Sequence, residues 1–309
     1  MSTLLAVTGP VFLVIGLGYL AVRLNAFSAS NADALMSFAQ SFAIPCLLFR
    51  AISTLDLGSH FDWPLLVSYY TGSVAVFVIA ALGARSLFGR GATDAIAIGF
   101  AAMFANSVLL GLPVTERAFG TAALDPNYAI IAIHAPICYL VGITTMEVAR
   151  NRESGLFTGL WSVAKSMASN GLMIGIGLGF VVNLGGIHIP EPATEALDLM
   201  ARAALPAALF ALGGILVRYR PEGDLMQIGF VCLISLVVHP LIVLGMAGLT
   251  GISTSAMQSA VITAAMAPGV NAFIFASMYG SAKRVAASAV LIGTFSSILT
   301  VSVWLTLIG

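Results

Sequence analysis

Apolar runs of about 20 residues recur along the whole chain, each long enough to cross a bilayer as a helix, and brief links between them carry most of the charge. The pattern predicts ten membrane-spanning helices, at approximately 4–22, 38–53, 65–84, 95–119, 128–148, 166–186, 199–217, 225–248, 257–279 and 285–308. The second is short, with Arg50 and Asp56 crowding its end. The longest polar stretch, Arg150 to Lys165, separates the fifth from the sixth. Leu4 to Val22 has no basic region before it and Arg23 after it, so it reads as a first span and not as a signal peptide.

Two runs are interrupted by residues that a membrane helix disfavours. Between Ala95 and Phe119 the chain reads Asn106-Ser107-Val108-Leu109-Leu110-Gly111-Leu112-Pro113. Asn106 and Ser107 put polar groups where the bilayer is driest, and Gly111 and Pro113 weaken the helix just beyond, so a kink or opening is expected there. Between Met257 and Tyr279 the device returns as Ala267-Pro268-Gly269-Val270-Asn271. Loosened backbone at that depth is tolerated only where it is buried in protein or lines a wet cavity. Two interrupted spans in corresponding places point to a transporter's binding site.

The two halves match at a fixed offset of 161 residues. Ile15-Gly16-Leu17-Gly18 returns as Ile176-Gly177-Leu178-Gly179, and Ala43, Pro45, Leu48 and Phe49 return as Ala204, Pro206, Leu209 and Phe210. The same shift carries Asn106–Pro113 onto Ala267–Ile274. The expected organisation is a first five-helix repeat over 1–150, a link over 151–165 and a second repeat over 166–309. Five spans per repeat is odd, so the second repeat is expected upside down. Charge agrees: the links after the odd-numbered spans hold Arg23, Arg85, Arg90, Arg150, Arg152, Lys165, Arg218, Arg220, Lys283 and Arg284, against Arg50, Arg117 and Arg202 on the other side. That bias places the first set in the cytoplasm and both termini outside it.

Composition fixes the class. Hydrophobic residues make up 59% and charged residues only 8%, far below the roughly 25% of soluble domains. The chain reads as an all-α polytopic protein of the cell membrane, with the lipid bilayer as its surroundings. A net charge of zero gives no reason to expect a nucleic-acid partner. Cys46, Cys138 and Cys232 fall inside spans without metal-ligand spacing and read as small apolar packing residues. No phosphate-cradling loop, metal cluster or paired intraspan carboxylates occur, so neither a cofactor nor a metal nor an enzymatic activity is expected.

The candidate chemistry lies at the interruptions. An opened helix exposes the N–H groups of the half-helix that follows, and these attract an anion. The amides of Asn106 and Asn271 either contact a bound carboxylate or cap their own freed backbone. Ser107, Pro268 and Gly269 shape the same breaks. His134 and His239, the histidines inside spans, serve either as a proton relay or as packing groups held by hydrogen bonds. Arg50 reads as a snorkelling side chain, with anion gathering at an outer mouth as the alternative.

These residues resemble the auxin efflux carrier family of membrane transporters. The resemblance rests on Asn106–Pro113 followed by Phe119-Gly120, on Pro268-Gly269-Val270-Asn271-Ala272-Phe273-Ile274-Phe275-Ala276, on His239-Pro240 and on Pro45, and it covers nearly the whole chain. It implies two inverted five-helix repeats whose fourth and ninth helices cross at their breaks, within a transport domain packed on a scaffold domain. It also implies that the spans of Pro45 and Pro206 belong to the scaffold and share in the substrate cavity, whereas a kink alone explains both prolines. Plant members export indole-3-acetate, and bacterial members are associated with malate, malonate and similar acids. Lacking a long hydrophilic insertion between spans 5 and 6, this chain resembles the compact bacterial type. The expected activity is secondary transport of a small organic anion by alternating access, with a second copy of the chain as a further candidate partner. The alternatives are a sodium-coupled symporter of bile-acid type and a membrane sensor that binds without transporting.

Overall fold

The computed structural model describes residues 2–55, 62–150, 161, 165, 168, 171–218 and 224–309. Their regular structure is helical: α1 (Ser2–Arg23), α2 (Ala29–Phe38), α3 (Ile44–Thr54), α4 (Trp63–Ser86), α5 (Ala92–Met103), α6 (Leu112–Phe119), α7 (Leu124–Ala149), α8 (Gly171–Gly185), α9 (Glu191–Leu216), α10 (Leu225–Leu233), α11 (His239–Thr250), α12 (Thr254–Ala264), α13 (Val270–Tyr279) and α14 (Lys283–Ile308). Among the described residues, six continuous helical stretches are long and apolar enough to cross a membrane: Ala29–Thr54, Trp63–Ser86, Thr121–Ala149, Glu191–Leu216, Leu225–Thr250 and Lys283–Ile308.

Three of the joints are turns of π-helix: Ala39–Ala43 between α2 and α3, Ser107–Gly111 before α6, and Ile234–Val238 between α10 and α11. Each ends two residues before a proline, namely Pro45, Pro113 and Pro240. A proline inside a helix cannot donate to the carbonyl four residues back, and its ring crowds that carbonyl. Widening the preceding turn relieves the crowding: Ile44, Leu112 and His239 donate instead to the carbonyls of Ala39, Ser107 and Ile234, five residues earlier.

Several spans differ from the sequence expectation, the seventh beginning at Glu191 and not at 199. The second span, expected at 38–53, begins at Ala29, where Ser28 caps the helix by accepting a 3.0 Å bond from the Asn31 N–H. Its first turns are exposed and polar, so hydropathy alone starts the span late. The runs at 95–119 and 257–279 are not single helices. α5, α12 and α13 have 12, 11 and 10 residues, or roughly 15–18 Å each at 1.5 Å per residue. None alone crosses an apolar layer of about 30 Å.

The chain divides into two compact units, and each draws on both sequence halves: a larger one of Met1–Thr8, Asp62–Val163 and Tyr219–Gly309, and a smaller one of Gly9–Phe61 and Ala164–Arg218. In the smaller unit, glycines let helices touch backbone to backbone. A methyl group at Gly175 would lie 2.8 Å from Pro45 Cα, and Gly18 and Gly213 abut the backbones of Phe210 and Ile15 in the same way. Asn183 Nδ2 donates to the Ile52 and Leu55 carbonyls (2.9 and 2.7 Å), closing the end of α3. Arg50 pairs with Asp198 at 2.6 Å, and Arg218 holds Asp33 with two nitrogens.

In the larger unit α4 and α7 are tied by the Tyr70 hydroxyl, which donates to the Ile130 carbonyl at 2.7 Å. Tyr69, Phe100 and Phe275 are its largest fully buried side chains. Phe100 stacks on Phe275 with ring centroids 4.0 Å apart, joining α5 to α13. Both interrupted segments lie in this unit.

Candidate functional site

After Met103 the chain leaves the helix for three residues. Phe104 (φ −83°, ψ 83°) and Asn106 (φ −76°, ψ 63°) each form the centre of an inverse γ-turn, with the Ala105 N–H on the Met103 carbonyl (3.0 Å) and the Ser107 N–H on the Ala105 carbonyl (2.8 Å). The second interruption falls between Ala264 and Val270. The two unwound stretches pair as a short antiparallel bridge between Ala105 and Pro268. The Asn106 N–H donates to the Ala267 carbonyl and the Gly269 N–H to the Phe104 carbonyl, each at 2.8 Å. Backbone that neither helix can satisfy is thus satisfied by the other, which is what buried unwound chain requires.

Gly269 lies against this contact: a methyl at its Cα would sit 3.5 Å from the Phe104 ring and 3.6 Å from Asn106 Cα, both ordinary contact distances. Pro268, which has no N–H to place, packs its ring against Gly293 of α14. Gly111 and Pro113 do not mark the opening. The interruption lies upstream of them, and both sit in resumed helix, Gly111 closing the π-turn and Pro113 following it, where the widened turn accommodates the missing N–H.

Asn106 is buried at 6% exposure, and its Nδ2 has no hydrogen-bond partner among the described residues. Its side chain makes no capping bond; its backbone carbonyl instead accepts from Leu110 and Gly111 (3.2 and 3.0 Å). Ser107 is buried beside it. Asn271 is the second residue of α13 and is half-buried; its Oδ1 accepts from the Tyr139 hydroxyl at 3.5 Å. The N–H groups of Val108, Leu109, Val270 and Asn271 have no carbonyl one helical turn back to bond, because the chain before them is unwound. Two asparagine amides and two sets of first-turn N–H groups therefore belong to one bridged pair of breaks, with donors in excess.

An aromatic wall adjoins the bridge. Phe104 lies 5.4 Å from Phe100 and 5.8 Å from Tyr139, ring centre to ring centre. Tyr139, which sequence reasoning did not single out, links that wall to Asn271; nothing in an apolar span distinguishes such a tyrosine from core.

His134 and His239 lie behind the wall, both fully buried. Tyr69 sits against both rings (5.8 and 5.6 Å), and Phe104 lies 4.8 Å from His134. His239 Nε2 is 3.1 Å from Ser73 Oγ, and His134 Nδ1 is 3.7 Å from Cys138 Sγ. Their neighbours are hydroxyl, thiol and aromatic groups and, for His134, the backbone of Ala105 at the bridge. Pro45 and Pro206 belong to the smaller unit: Pro45 follows a π-turn, and Pro206 lies within α9 and is exposed. Arg50 is engaged by Asp198. Among the described residues, no group of three or more His, Cys, Asp or Glu side chains is arranged to hold a metal. An apolar groove of about 600 Å³, lined by Trp63, Tyr70, Ile133 and neighbours, contains none of the candidate site residues.

Long apolar helices throughout, with two internal interruptions bridged to each other, define a multi-pass membrane protein. The chain belongs to the membrane transport protein family, whose model matches residues 6–305, and it is a membrane transporter of the auxin efflux carrier type. It is 28% identical over 308 residues to a Rhizobium meliloti protein named "Putative malonate transporter", covering 98% of this chain and 95% of that one. It is 27% identical to the mouse lysosomal cholesterol signaling protein, across 93% of this chain but only 36% of that longer protein. It is 21% identical to Arabidopsis thaliana auxin efflux carrier component 8, across 95% and 94% of the two chains.

Proposed function

We propose that this protein is a secondary transporter that moves a small organic anion, a mono- or dicarboxylate, across the cell membrane by alternating access. The observation that carries the reading is the bridged pair of interruptions with the buried Asn106 beside it, whose Nδ2 has no hydrogen-bond partner among the described residues. The anion is bound by Asn106 and Asn271 together with the first-turn N–H groups of the two resumed helices; Ser107, Pro268 and Gly269 shape the backbone that presents them. Hydrogen bonds from amides and helix ends hold a carboxylate without lysine or arginine, so the loaded site carries only the charge of its guest. Export of an anion is then driven by a negative cell interior.

In this reading the chain crosses the membrane ten times as two inverted five-helix repeats, with its fourth and ninth helices crossing at the breaks and both termini outside the cytoplasm. The larger unit is the transport domain and the smaller one the scaffold. The names of the Rhizobium and Arabidopsis relatives support an organic-acid substrate. The name of the mouse relative favours a second reading, a sensor that binds without transporting. Uptake by purified protein in liposomes, measured for radiolabelled malonate, malate and indole-3-acetate with and without sodium, separates the possibilities. Saturable, sodium-independent uptake of at least one acid is expected. Sodium-dependent uptake would favour the symporter mechanism, and ligand binding without any uptake would favour the sensor.

A further inference from the structure

Thr263 is fully buried on α12, two residues before the second interruption, and its Oγ1 has no hydrogen-bond partner among the described residues. Threonines inside helices ordinarily bond back to a carbonyl three or four residues earlier. Thr145, Thr250 and Thr294 do so here, at 2.8, 3.0 and 2.7 Å. Thr263 does not. Among the described residues, six buried side-chain nitrogen or oxygen atoms lack a partner, and only Asn106 Nδ2 and Thr263 Oγ1 belong to the interrupted segments.

Both residues border Gly111, Asn106 through its backbone carbonyl oxygen and Thr263 through its methyl group. A methyl group placed there would lie 3.7 Å from the Asn106 carbonyl oxygen, 3.7 Å from Met266 Cγ and 3.9 Å from Thr263 Cγ2, all ordinary contact distances. A methyl would fit, and glycine leaves that space empty. An unsatisfied buried donor is unfavourable, as is unfilled space at a packed helix contact. Both features occur together beside the bridge.

We infer that Thr263 and Asn106 form a donor pair for one oxygen of the bound organic anion, in a niche kept open by Gly111, and that Thr263 sets substrate specificity. This rests on the organic-anion reading of the paired breaks. The Asn106 amide nitrogen can only donate, and the Thr263 hydroxyl is free to donate. Their common ligand atom is therefore an acceptor such as a carboxylate oxygen, not an ammonium. Met266 supplies an apolar wall, which suits a short carbon chain next to that oxygen. A site that hydrogen-bonds a substrate oxygen discriminates strongly against analogues lacking it.

The test uses purified full-length protein, with thermal unfolding and equilibrium binding measured for malonate, malate, acetate and indole-3-acetate; the acid giving the largest stabilisation is carried through. Thr263→Val keeps the shape and removes the hydroxyl. It is expected to unfold at the same or a higher temperature without ligand, yet to bind at least about tenfold more weakly, while Thr263→Ser stays within about threefold of the parent. Gly111→Ala, which fills the niche and spares the hydroxyl, is expected to weaken binding as well. Thr263→Val binding within about twofold of the parent overturns the donor pair alone. If that variant fails to fold, unchanged binding by Gly111→Ala overturns it. A folded parent that responds to none of the acids overturns the organic-anion reading and the donor pair with it.

Discussion

The indole Nε1 of Trp304 donates a 2.9 Å hydrogen bond to the carbonyl of Leu236, four residues before Pro240. Pro240 has no N–H to give that carbonyl, so a side chain from the last helix supplies the donor that the proline removed. The bond is buried and joins α14 to the π-turn that precedes α11. Trp304→Phe keeps the aromatic bulk and leaves the carbonyl unpaired. The expected loss is about 1 kcal/mol, read as a lower unfolding temperature of the detergent-solubilised protein. Pro240→Ala in the same background restores a main-chain donor, so the double variant loses less than the sum of the two single ones.

Close backbone contact in the smaller unit rests on Gly175, whose Cα faces the backbone of Pro45. A side chain there meets main chain, which cannot swing aside. Gly175→Val is expected to destabilise by about 1–3 kcal/mol, with loss of the monodisperse peak in size-exclusion chromatography as the readout. Gly177, with nothing within 4 Å of a methyl at its Cα, is the control: Gly177→Ala should elute as the parent does.

Between α13 and α14, Ala282 is held at φ 47°, ψ 29°, with its N–H donated to Asp94 Oδ1 at 2.9 Å. A left-handed conformation is strained for any residue with a Cβ. Ala282→Gly should therefore raise stability, by about 0.5–1 kcal/mol, whereas Asp94→Ala should lower it by about 1 kcal/mol. Thermal unfolding of the two variants distinguishes them by sign.

The Arg50–Asp198 pair joins α3 to α9 with both side chains partly exposed, at 25% and 39%. Partly exposed pairs are screened by water and contribute little. A double-mutant cycle of Arg50→Ala and Asp198→Ala should give a coupling under about 1 kcal/mol, smaller still at high salt.

Much of this architecture was legible in the sequence, and the reasons are local. Asn106, Pro268, Gly269 and Asn271 stand out because they are costly inside an apolar run, and the unwound stretches lie at or beside them. Proline drew attention to 113 too, but there the π-turn absorbs it and the helix continues. Proline chemistry alone does not say whether a helix opens or merely widens; the turn before it decides. What the sequence could not carry was pairing over long separations. The bridge from Ala105 to Pro268, the ring stack of Phe100 on Phe275 and the bond from Tyr139 to Asn271 join residues far apart in the chain, and Phe100, Ala105, Tyr139 and Phe275 look like ordinary membrane-helix content on their own. The early start of the second span was likewise masked, because Asn31, Asp33 and Ser37 make its first turns polar.

The most direct measurement of the central claim is uptake of the transported acid by liposomes containing Asn106→Ala or Asn271→Ala, each first shown to be folded by its elution profile and unfolding temperature. If the paired interruptions hold the anion, either variant loses most of its uptake while remaining folded. Uptake equal to the parent's in both folded variants would contradict that assignment.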